Sequence, residues 1–338
     1  MRAMRDQYGR TIEYMRVSVT DRCNLRCIYC MPETGVHCVP HSEILTFDEI
    51  ARVCRIGSGL GIRKIKLTGG EPLVRRGLPE LVKMLKDLPG IEQVTLTSNG
   101  ILLKEQLGNL VAAGLDAVNI SIDTLDQEEY RRITRIGDIA DAEAGLEAAV
   151  ACGKLRVKIN CVPLRDVSPD TYIKLALLAR DENVDVRFIE MMPIGFGKEF
   201  AGRSGGEIFG VLREQYGEPE IYNKKIGNGP AEYFSFPGFK GKIGLISAVS
   251  HQFCSTCNRV RLTSEGALKL CLQYNTAVDL RSLLRSGADD DLIRETMRRA
   301  IYEKPACHHF DNAVPGQSDD ASEWQEKIET REMSQIGG

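Results

Sequence analysis

Six short segments in which apolar and polar residues alternate constrain the fold of this chain more than any other feature of its sequence. They lie at residues 15–19, 64–67, 94–97, 117–122, 157–162 and 185–188, and a period of two predicts β-strands. Stretches with helical spacing of apolar residues lie between them, at 47–57, 78–88, 103–113, 140–151 and 169–180. This alternation of strand and helix predicts an α/β fold with a parallel sheet and right-handed crossovers.

The polar faces of the six strands distinguish this sheet from an ordinary parallel one, whose strands are usually buried on both faces and apolar throughout. One face here is apolar and would pack on the helices, whereas the other carries Arg16, Lys66, Thr97, Ser121, Lys158 and Arg187. Burying unpaired cations is costly, so a dry, filled barrel is excluded. The pattern predicts a partial, open, TIM-like barrel of six βα units that binds a polyanion. The alternative is that these side chains face solvent on an open sheet.

Composition narrows the classes of function. The net charge of −3 argues against a broad surface for nucleic acid. No apolar run is long enough to span a membrane, and the N-terminus lacks the apolar core of a secretory signal. We therefore expect a cytoplasmic protein that binds neither nucleic acid nor membranes. In that compartment, clustered members of its eleven cysteines are expected to bind metal rather than form disulfides.

The first cysteine set, Cys23, Cys27 and Cys30, directly follows the first strand with the spacing C-x3-C-x2-C. Three thiolates at this spacing can bind three irons of a four-iron cluster. The fourth iron would then be open to a small molecule that chelates it through amino and carboxylate groups. A zinc site completed by His37 or His41 is the alternative, because structural zinc takes four ligands.

The second cysteine set, Cys254, Cys257 and Cys271, has the spacing C-x2-C-x13-C. A zinc ribbon would repeat C-x2-C, so a second cluster with an open iron fits this set better, although His251 or Cys307 could complete a zinc site. Arg259 and Arg261 follow at strand spacing. Their forked donors suit phosphate, and we expect them to face the same polyanion as the strand cations.

The C-terminal third has weaker signals. A Gly-rich stretch at 195–207 predicts a loop, and frequent Gly and Pro at 223–253 predict a linker that wraps back. Helices are predicted at 279–286 and 290–303, and the polar tail from Asp311 is expected to be mobile until something docks it. We therefore expect a barrel domain at residues 1–222 and a smaller domain at 223–338, which carries the second cysteine set and ends in Gly-Gly.

Two motifs carry a resemblance to a known superfamily. CNLRCIYC at 23–30 resembles the cysteine signature of radical S-adenosylmethionine enzymes, and LTGGEPL at 67–73 resembles their GGEP motif. Almost the whole chain resembles the GTP 3′,8-cyclase family, also called molybdenum cofactor biosynthesis protein A. The segments that carry this closer resemblance are MRVSVTDRCNLRCIYCMP, TGGEPLVRR, LTSNG, NISID, VKIN, RFIEMMP, ISAVSHQFCSTCNRVRLTSEG and the C-terminal Gly-Gly.

The resemblance implies a role for each matching position. Cys23, Cys27 and Cys30 would bind one [4Fe-4S] cluster, and Cys254, Cys257 and Cys271 a second. Tyr29, Gly70, Ser121 and Met192 would bind S-adenosylmethionine. Arg16, Lys66, Thr97, Lys158, Arg259, Val260 and Arg261 would bind GTP, with Lys64 as a weaker candidate. Arg16, Arg187, Gly337 and Gly338 are the candidate catalytic residues. Lys66 and Lys269 stand where the family pattern more often has arginine, and Cys307 has no role in it.

The reaction implied is that of a lyase that converts GTP to (8S)-3′,8-cyclo-7,8-dihydroguanosine 5′-triphosphate, the first step of molybdenum cofactor biosynthesis. The partners implied are a one-electron donor, a second copy of the chain in a homodimer, and cyclic pyranopterin monophosphate synthase as the recipient of the product. Two other readings compete with this one. A different two-cluster radical enzyme, such as one that modifies peptides, would have less need of barrel cations. A zinc-ribbon module or ferredoxin-like carrier would need neither an open iron nor a GGEP-like turn.

Overall fold

The computed structural model describes residues 4–224, 226–310 and 328–337. Twelve strands form one sheet in these residues: β1 (Tyr14–Ser18), β2 (Lys64–Thr68), β3 (Gln93–Ser98), β4 (Ala117–Ser121), β5 (Arg156–Cys161), β6 (Asp185–Ile189), β7 (Glu220–Ile221), β8 (Glu232–Ser235), β9 (Ile243–Ile246), β10 (Arg259–Leu262), β11 (Ala267–Lys269) and β12 (Ala277–Asp279). The six strands predicted from alternation, now β1–β6, are confirmed to within one residue at either end.

The helices of the described residues are α1 (Phe47–Gly59), α2 (Leu78–Lys86), α3 (Leu103–Ala112), α4 (Gln127–Thr134), α5 (Ile139–Cys152), α6 (Pro169–Asp181), α7 (Gly205–Tyr216), α8 (Leu280–Arg285), α9 (Asp290–Tyr302) and α10 (Met333–Ile336). The predicted helices match α1, α2, α3, α5, α6, α8 and α9 to within two residues. No helix in this part of the chain is long and apolar enough to cross a lipid bilayer.

The sheet has a parallel centre and antiparallel margins. Eight strands run parallel in the order β10-β1-β2-β3-β4-β5-β6-β9. β11 and β12 extend the sheet beyond β10, and β8 and β7 extend it beyond β9, all in antiparallel pairs. Within the described residues the two margins do not pair with each other, so the barrel is open. The predicted partial barrel of βα units is confirmed.

The apolar residues of the strands form the core. Val17, Leu67, Leu96, Ile120 and Ile159 are fully buried and belong to one cluster with apolar residues of the helices. Burying a side chain of this size stabilises a fold by about 1.5–3 kcal/mol. Because side chains alternate along a strand, anchoring this face on the helices directs the polar residues into the barrel.

The region after residue 195 is more ordered than we expect from its sequence. Ser204 and Glu207 form a capping box that begins α7 at Gly205, inside the predicted loop. The predicted linker at 223–253 contains β8 and β9, so this expectation was wrong. These strands have only four residues each and are stabilised by pairing at the edge next to β6, which local sequence does not reveal. The boundary at 222 stays a prediction, and strands from both sides of it share the sheet.

Candidate active site

A cavity of about 340 Å³ lies at the carboxyl ends of the parallel strands, where barrels of this kind place their chemistry. Both cysteine sets line it, although they are far apart in the chain. Of the other predicted site residues, those that line the cavity are Arg16, Tyr29, Gly70, Thr97, Ser121, Met192, Arg259 and Arg261. The fold thus brings the two cysteine sets and most of the predicted ligand contacts into one space.

Tyr29 ties the loop of the first cysteine set to the barrel. Its hydroxyl donates a hydrogen bond of 2.6 Å to Asp123, which closely follows β4. Asp123 also accepts one of 2.8 Å from the backbone N–H of Val162, which directly follows β5. Burial raises the pKa of Asp123 to about 6, so the carboxyl is mostly ionised at pH 7. Burial, together with Asp123, raises the pKa of Tyr29 well above its usual value, so its hydroxyl remains a donor.

The turn after β2 packs directly on the same cysteine loop. The backbone N–H of Gly70 donates to the carbonyl of Thr20, and that of Glu71 to the carbonyl of Arg22, both at 2.8 Å. A Cβ atom on Gly70 would lie 2.3 Å from the carbonyl oxygen of Arg22. Glycine is therefore required at this position because two backbones approach closely.

Glu71 joins the ends of β2 and β3. Its buried carboxylate accepts hydrogen bonds from the N–H groups of Leu73 (2.9 Å) and Asn99 (2.7 Å), and from the hydroxyl of Ser98 (2.9 Å). Asn99 in turn donates to Asn24, between the first two cysteines, at 2.8 Å. Burial raises the pKa of Glu71 to about 7 despite these bonds. Glu71 thus helps to position the cysteine loop through Asn99 and Asn24.

Arg10 holds the second cysteine set in place from near the N-terminus. Its guanidinium donates to the carbonyls of Cys254 (2.9 Å), Pro305 (2.6 Å) and Ala306 (2.7 Å). Arg10 is itself buried and paired with Asp6 at 2.6 Å. This clamp joins the loop of Cys254 to the segment that follows α9.

Cys307 is brought to the second set by that clamp. It lines the same cavity, and the backbone N–H of its neighbour His308 donates to the sulfur of Cys254 at 3.4 Å. Burial, then the nearby Cys271, Cys257 and Cys307, raise the pKa of Cys254. The structure therefore places Cys307 beside the three predicted ligands.

The donor chemistry of the first set fits an iron–sulfur cluster. Burial raises the pKa of Cys23 to about 11 and that of Cys30 to about 12, so these thiols hold protons that metal binding would release. No three His, Cys, Asp or Glu side chains in the described part of the chain are arranged to hold a metal ion. The spacing of the three thiols is still compatible with a cluster, because each thiolate binds a different iron and the thiols need not converge on one ion.

A row of four cations crosses neighbouring strands inside the barrel. In the sheet register Lys66 lies beside Arg16, Arg16 beside Arg261, and Arg261 beside Lys269. Burial lowers the pKa of Lys66 well below its usual value. The positive charges that lower it further are those of Arg187, Arg16, Lys158 and Arg259. Burial and then Arg16 likewise lower the pKa of Arg261. This interior favours a polyanion that would balance the charge.

Lys158 of β5 and Arg187 of β6 are buried and do not line the cavity. Burial, then Arg187, lowers the pKa of Lys158 to about 7. The Lys158 ammonium lies 3.4 Å from both the hydroxyl of Tyr233 and the carbonyl oxygen of Ile226. Arg187 donates to Asn160 at 2.5 Å, while its Nε is buried without a hydrogen-bond partner. An acceptor on a ligand would satisfy this donor.

The side chains of two predicted GTP contacts, Lys64 and Val260, do not line the cavity. Lys64, at the start of β2, forms an ion pair of 2.7 Å with Glu13 and does not line the cavity. Val260 is fully buried on the apolar side of β10, in register with Met15. A ligand could reach Val260 only through its backbone.

The C-terminal segment enters the barrel. Ile336 is fully buried in a small apolar cluster that includes Ile194, Leu272 and Phe310. The carbonyl of Gly337 accepts a hydrogen bond of 2.9 Å from Arg261. A Cβ on Gly337 would lie 2.8 Å from Ser18, and its φ of +78° also favours glycine. Residues 328–337 are thus docked, and Gly338 and 311–327 lie outside the described residues.

Several residues that organise the site were not among the predictions. Glu190, directly after β6, accepts hydrogen bonds from the backbone N–H groups of Gly205, Val249 and Ser250. It thus anchors the backbone shortly before Cys254. Asp123, Glu71 and Glu190 each lie at or just after the carboxyl end of a barrel strand. An acidic residue at that position is the signal that could have identified them, whereas no local signal marks Arg10.

Comparison with known proteins extends these observations. Residues 17–179 match the Radical SAM superfamily, and residues 184–310 match the family Molybdenum Cofactor Synthesis C. The chain is similar to a GTP 3′,8-cyclase of Heliobacterium modesticaldum, with 45% identity over 99% of this chain and 100% of the relative. It is also similar to a GTP 3′,8-cyclase of Clostridium perfringens, with 44% identity over 91% of this chain and 95% of the relative.

Among solved structures, the fold is similar to that of Streptococcus suis SuiB bound to S-adenosylmethionine. The TM-score is 0.59 at 15% identity, and the match covers 85% of this chain and 68% of SuiB. At this identity the likeness concerns the fold alone.

Proposed function

The chain belongs to the GTP 3′,8-cyclase family of radical S-adenosylmethionine enzymes, and we propose that it converts GTP to (8S)-3′,8-cyclo-7,8-dihydroguanosine 5′-triphosphate, the first step of molybdenum cofactor biosynthesis. The observation that carries the proposal is the barrel interior. It places Lys66, whose pKa is lowered by burial and by nearby arginine and lysine charges, on the face that leads to a cavity lined by two sets of three cysteines. A triphosphate is the part of GTP that such an interior would recognise.

Membership of the superfamily implies S-adenosylmethionine and one [4Fe-4S] cluster. We propose that Cys23, Cys27 and Cys30 bind that cluster and that Cys254, Cys257 and Cys271 bind a second. With one electron from a cellular donor, the first cluster and S-adenosylmethionine would supply the radical chemistry that removes an unactivated hydrogen atom. The work of the chain is to position the reactants and exclude water from them.

The S-adenosylmethionine contacts are proposed for Tyr29, Gly70, Ser121 and Met192. Two of these positions are rigid. Asp123 fixes the hydroxyl of Tyr29, and close packing on Arg22 fixes the backbone of Gly70. Groups held in place before binding lose little conformational entropy when the cofactor binds, and this supports the assignment.

The GTP contacts are proposed for side chains of Arg16, Lys66, Thr97, Lys158, Arg259 and Arg261, and for the backbone of Val260. Arg259 has a buried Nε without a hydrogen-bond partner, and Arg187 has another. Acceptors on the triphosphate would satisfy such donors. We further propose that Arg16 and Arg187 stabilise charge near the sugar, and that Gly337 and Gly338 approach the reacting groups.

The remaining proposals concern location and partners. We propose a cytoplasmic homodimer that receives single electrons from a cellular donor. We also propose that it passes its product to cyclic pyranopterin monophosphate synthase. These assignments follow the family to which the chain belongs.

Anaerobic assay of the reconstituted protein tests the proposed function. Protein, S-adenosylmethionine, reductant and GTP should yield 5′-deoxyadenosine together with the cyclised nucleotide. Equal 5′-deoxyadenosine with and without GTP, and no product from GTP, would contradict the assignment and favour another radical enzyme. Iron and sulfide should fall by about four atoms each in Cys23→Ser and in Cys257→Ser. Cys152→Ser, outside both sets, is the matched control. Bound zinc without sulfide would overturn both cluster assignments.

A further inference from the structure

The cation at the end of the interior row differs from its neighbours. Lys269 of β11 is completely buried and forms an ion pair with Glu329 of the C-terminal segment, whose side chain is 1% exposed. The Lys269 ammonium also donates to the carbonyl of Tyr274 at 2.5 Å. The charged side chains that shift the pKa of Lys66, in contrast, are arginines and a lysine. One member of the row is thus already neutralised by the chain itself.

Glu329 is the most highly connected residue of the C-terminal segment. Besides Lys269, its carboxylate accepts two hydrogen bonds of 3.0 Å from the guanidinium of Arg331, and it accepts from the N–H groups of Thr330 and Arg331 at 3.2 and 3.0 Å. Its own N–H donates to the carbonyl of Gln273 at 2.6 Å. Every acceptor position of this carboxylate is used, so its location is tightly defined.

The rest of the segment follows from that anchor. Glu332 accepts a hydrogen bond of 2.9 Å from the N–H of Phe196, Ile336 enters its apolar cluster, and the Gly337 carbonyl meets Arg261 at 2.9 Å. Arg261 and Lys269 are register neighbours on paired strands. The two ends of the segment are therefore held by adjacent residues of the same cationic row.

We propose that Lys269 and Glu329 form a latch that sets the position of the C-terminal glycines against Arg261. Lys269 is then a positioning residue rather than a ligand of the nucleotide. The role of the glycines in catalysis rests on the proposed function, whereas the latch does not.

An apolar contact alone would define this position less well. The cluster around Ile336 could accept the segment in slightly shifted registers, because dispersion contacts are not directional. A buried ion pair with satisfied hydrogen bonds allows a single arrangement, and breaking it leaves an uncompensated charge. The pair thus selects the register that brings Gly337 to Arg261.

Hydrogen exchange of the reconstituted protein, without GTP or S-adenosylmethionine, tests the latch. Glu329→Gln and Lys269→Met should each speed exchange of residues 328–337 on the order of a hundredfold, with β1–β6 unchanged. Glu265→Gln is the matched control, because it removes only the 3.4 Å contact of Glu265 with the half-exposed Arg331. Unchanged exchange in the segment would overturn the proposal, and so would an equal increase throughout the barrel.

The double variant Lys269→Met/Glu329→Gln separates a direct pair from two independent effects. If the residues act as a latch, the double variant should exchange no faster than the faster single variant, because neither charge is left unpaired. Multiplied effects of the two substitutions would contradict a direct interaction. Should Lys269→Met fail to fold, the exchange rate of the double variant is compared with that of Glu329→Gln alone. Faster exchange in the double variant would then contradict the latch.

GTP binding distinguishes a latch from a nucleotide ligand. The latch predicts that Lys269→Met and Glu329→Gln both lower kcat while the dissociation constant of GTP changes less than about threefold. A Lys269 that bound the nucleotide would instead weaken GTP binding when replaced, with no such loss in Glu329→Gln, and that result would overturn the proposal. If the native protein bound no GTP, the proposed function would fail while the exchange measurement still tested the latch.

Discussion

Replacing Lys158 with methionine should weaken GTP binding and remove a pH dependence that the native residue imposes. Burial, then Arg187, lowers the pKa of Lys158 to about 7 in the nucleotide-free protein, although Asp185 opposes this effect. A polyphosphate nearby favours the charged ammonium, so GTP binds that form better. The affinity of the native protein should therefore rise as the pH falls through about 7.

The size of the effect follows from that pKa. About nine in ten Lys158 side chains are charged at pH 6, and about one in ten at pH 8. The share of the affinity that depends on the ammonium should change about tenfold between these values. At pH 6 the loss of a charge-assisted hydrogen bond, about 1.5–3 kcal/mol, should raise the dissociation constant of Lys158→Met about 10- to 150-fold.

The assay is equilibrium binding of GTP to anaerobically reconstituted protein from pH 6 to 8. The ratio of the variant to the native dissociation constant is the quantity to compare, because titration of the GTP phosphates cancels in it. Lys64→Met is the matched control, since Lys64 already pairs with Glu13 at 2.7 Å, and it should change affinity less than about threefold. A ratio that is equal at both pH values, or a Lys64 variant as weak as the Lys158 variant, would refute the reasoning.

Three further predictions concern the loops around the first cysteine set. Because burial raises the pKa of Glu71 from 4.5 to about 7, its neutral form favours folding below pH 4.5, and that contribution, about 3 kcal/mol, is lost as the pH rises to 7. Glu71→Gln should therefore flatten the fall in melting temperature over this range, and an unchanged slope would be inconsistent with this. Gly70→Ala should prevent the turn from packing and lower the iron content after reconstitution, whereas Gly108→Ala, with open space around its Cβ, should not. Asp123→Asn should weaken the bond to Tyr29 and reduce S-adenosylmethionine affinity about tenfold while leaving GTP affinity unchanged; equal losses for both ligands would indicate a general disruption instead.

The six barrel strands could be predicted because their signal is local. A period of two in residues such as Arg16 to Val19 is written in four or five consecutive positions, and it reports directly which face is buried. The polar residues at those positions were correctly expected to share one side of the sheet. Register then places Lys66, Arg16 and Arg261 side by side, as their common face suggested.

The short strands after residue 230 could not be predicted in the same way. β8 to β12 have three or four residues each, too few for periodicity to show. Their stability comes from hydrogen bonds to strands that are distant in the chain, such as β10 to β1 and β9 to β6. The docked segment at 328–337 has the same origin, because the anchor of Glu329 is Lys269, which lies on β11 and is distant in the chain.

The sequence by itself determined the chemical inventory: two sets of three cysteines, a GGEP-like turn and a polar face on each of six strands. Spacing and periodicity are properties of neighbouring residues, so they survive without a structure. Only the tertiary structure decided which of the cations remain uncompensated. Lys66 and Lys269 read alike in the sequence, but Lys269 is neutralised by Glu329 while Lys66 is surrounded by like charges. Charge balance depends on distance through space, and the folded chain alone sets that distance.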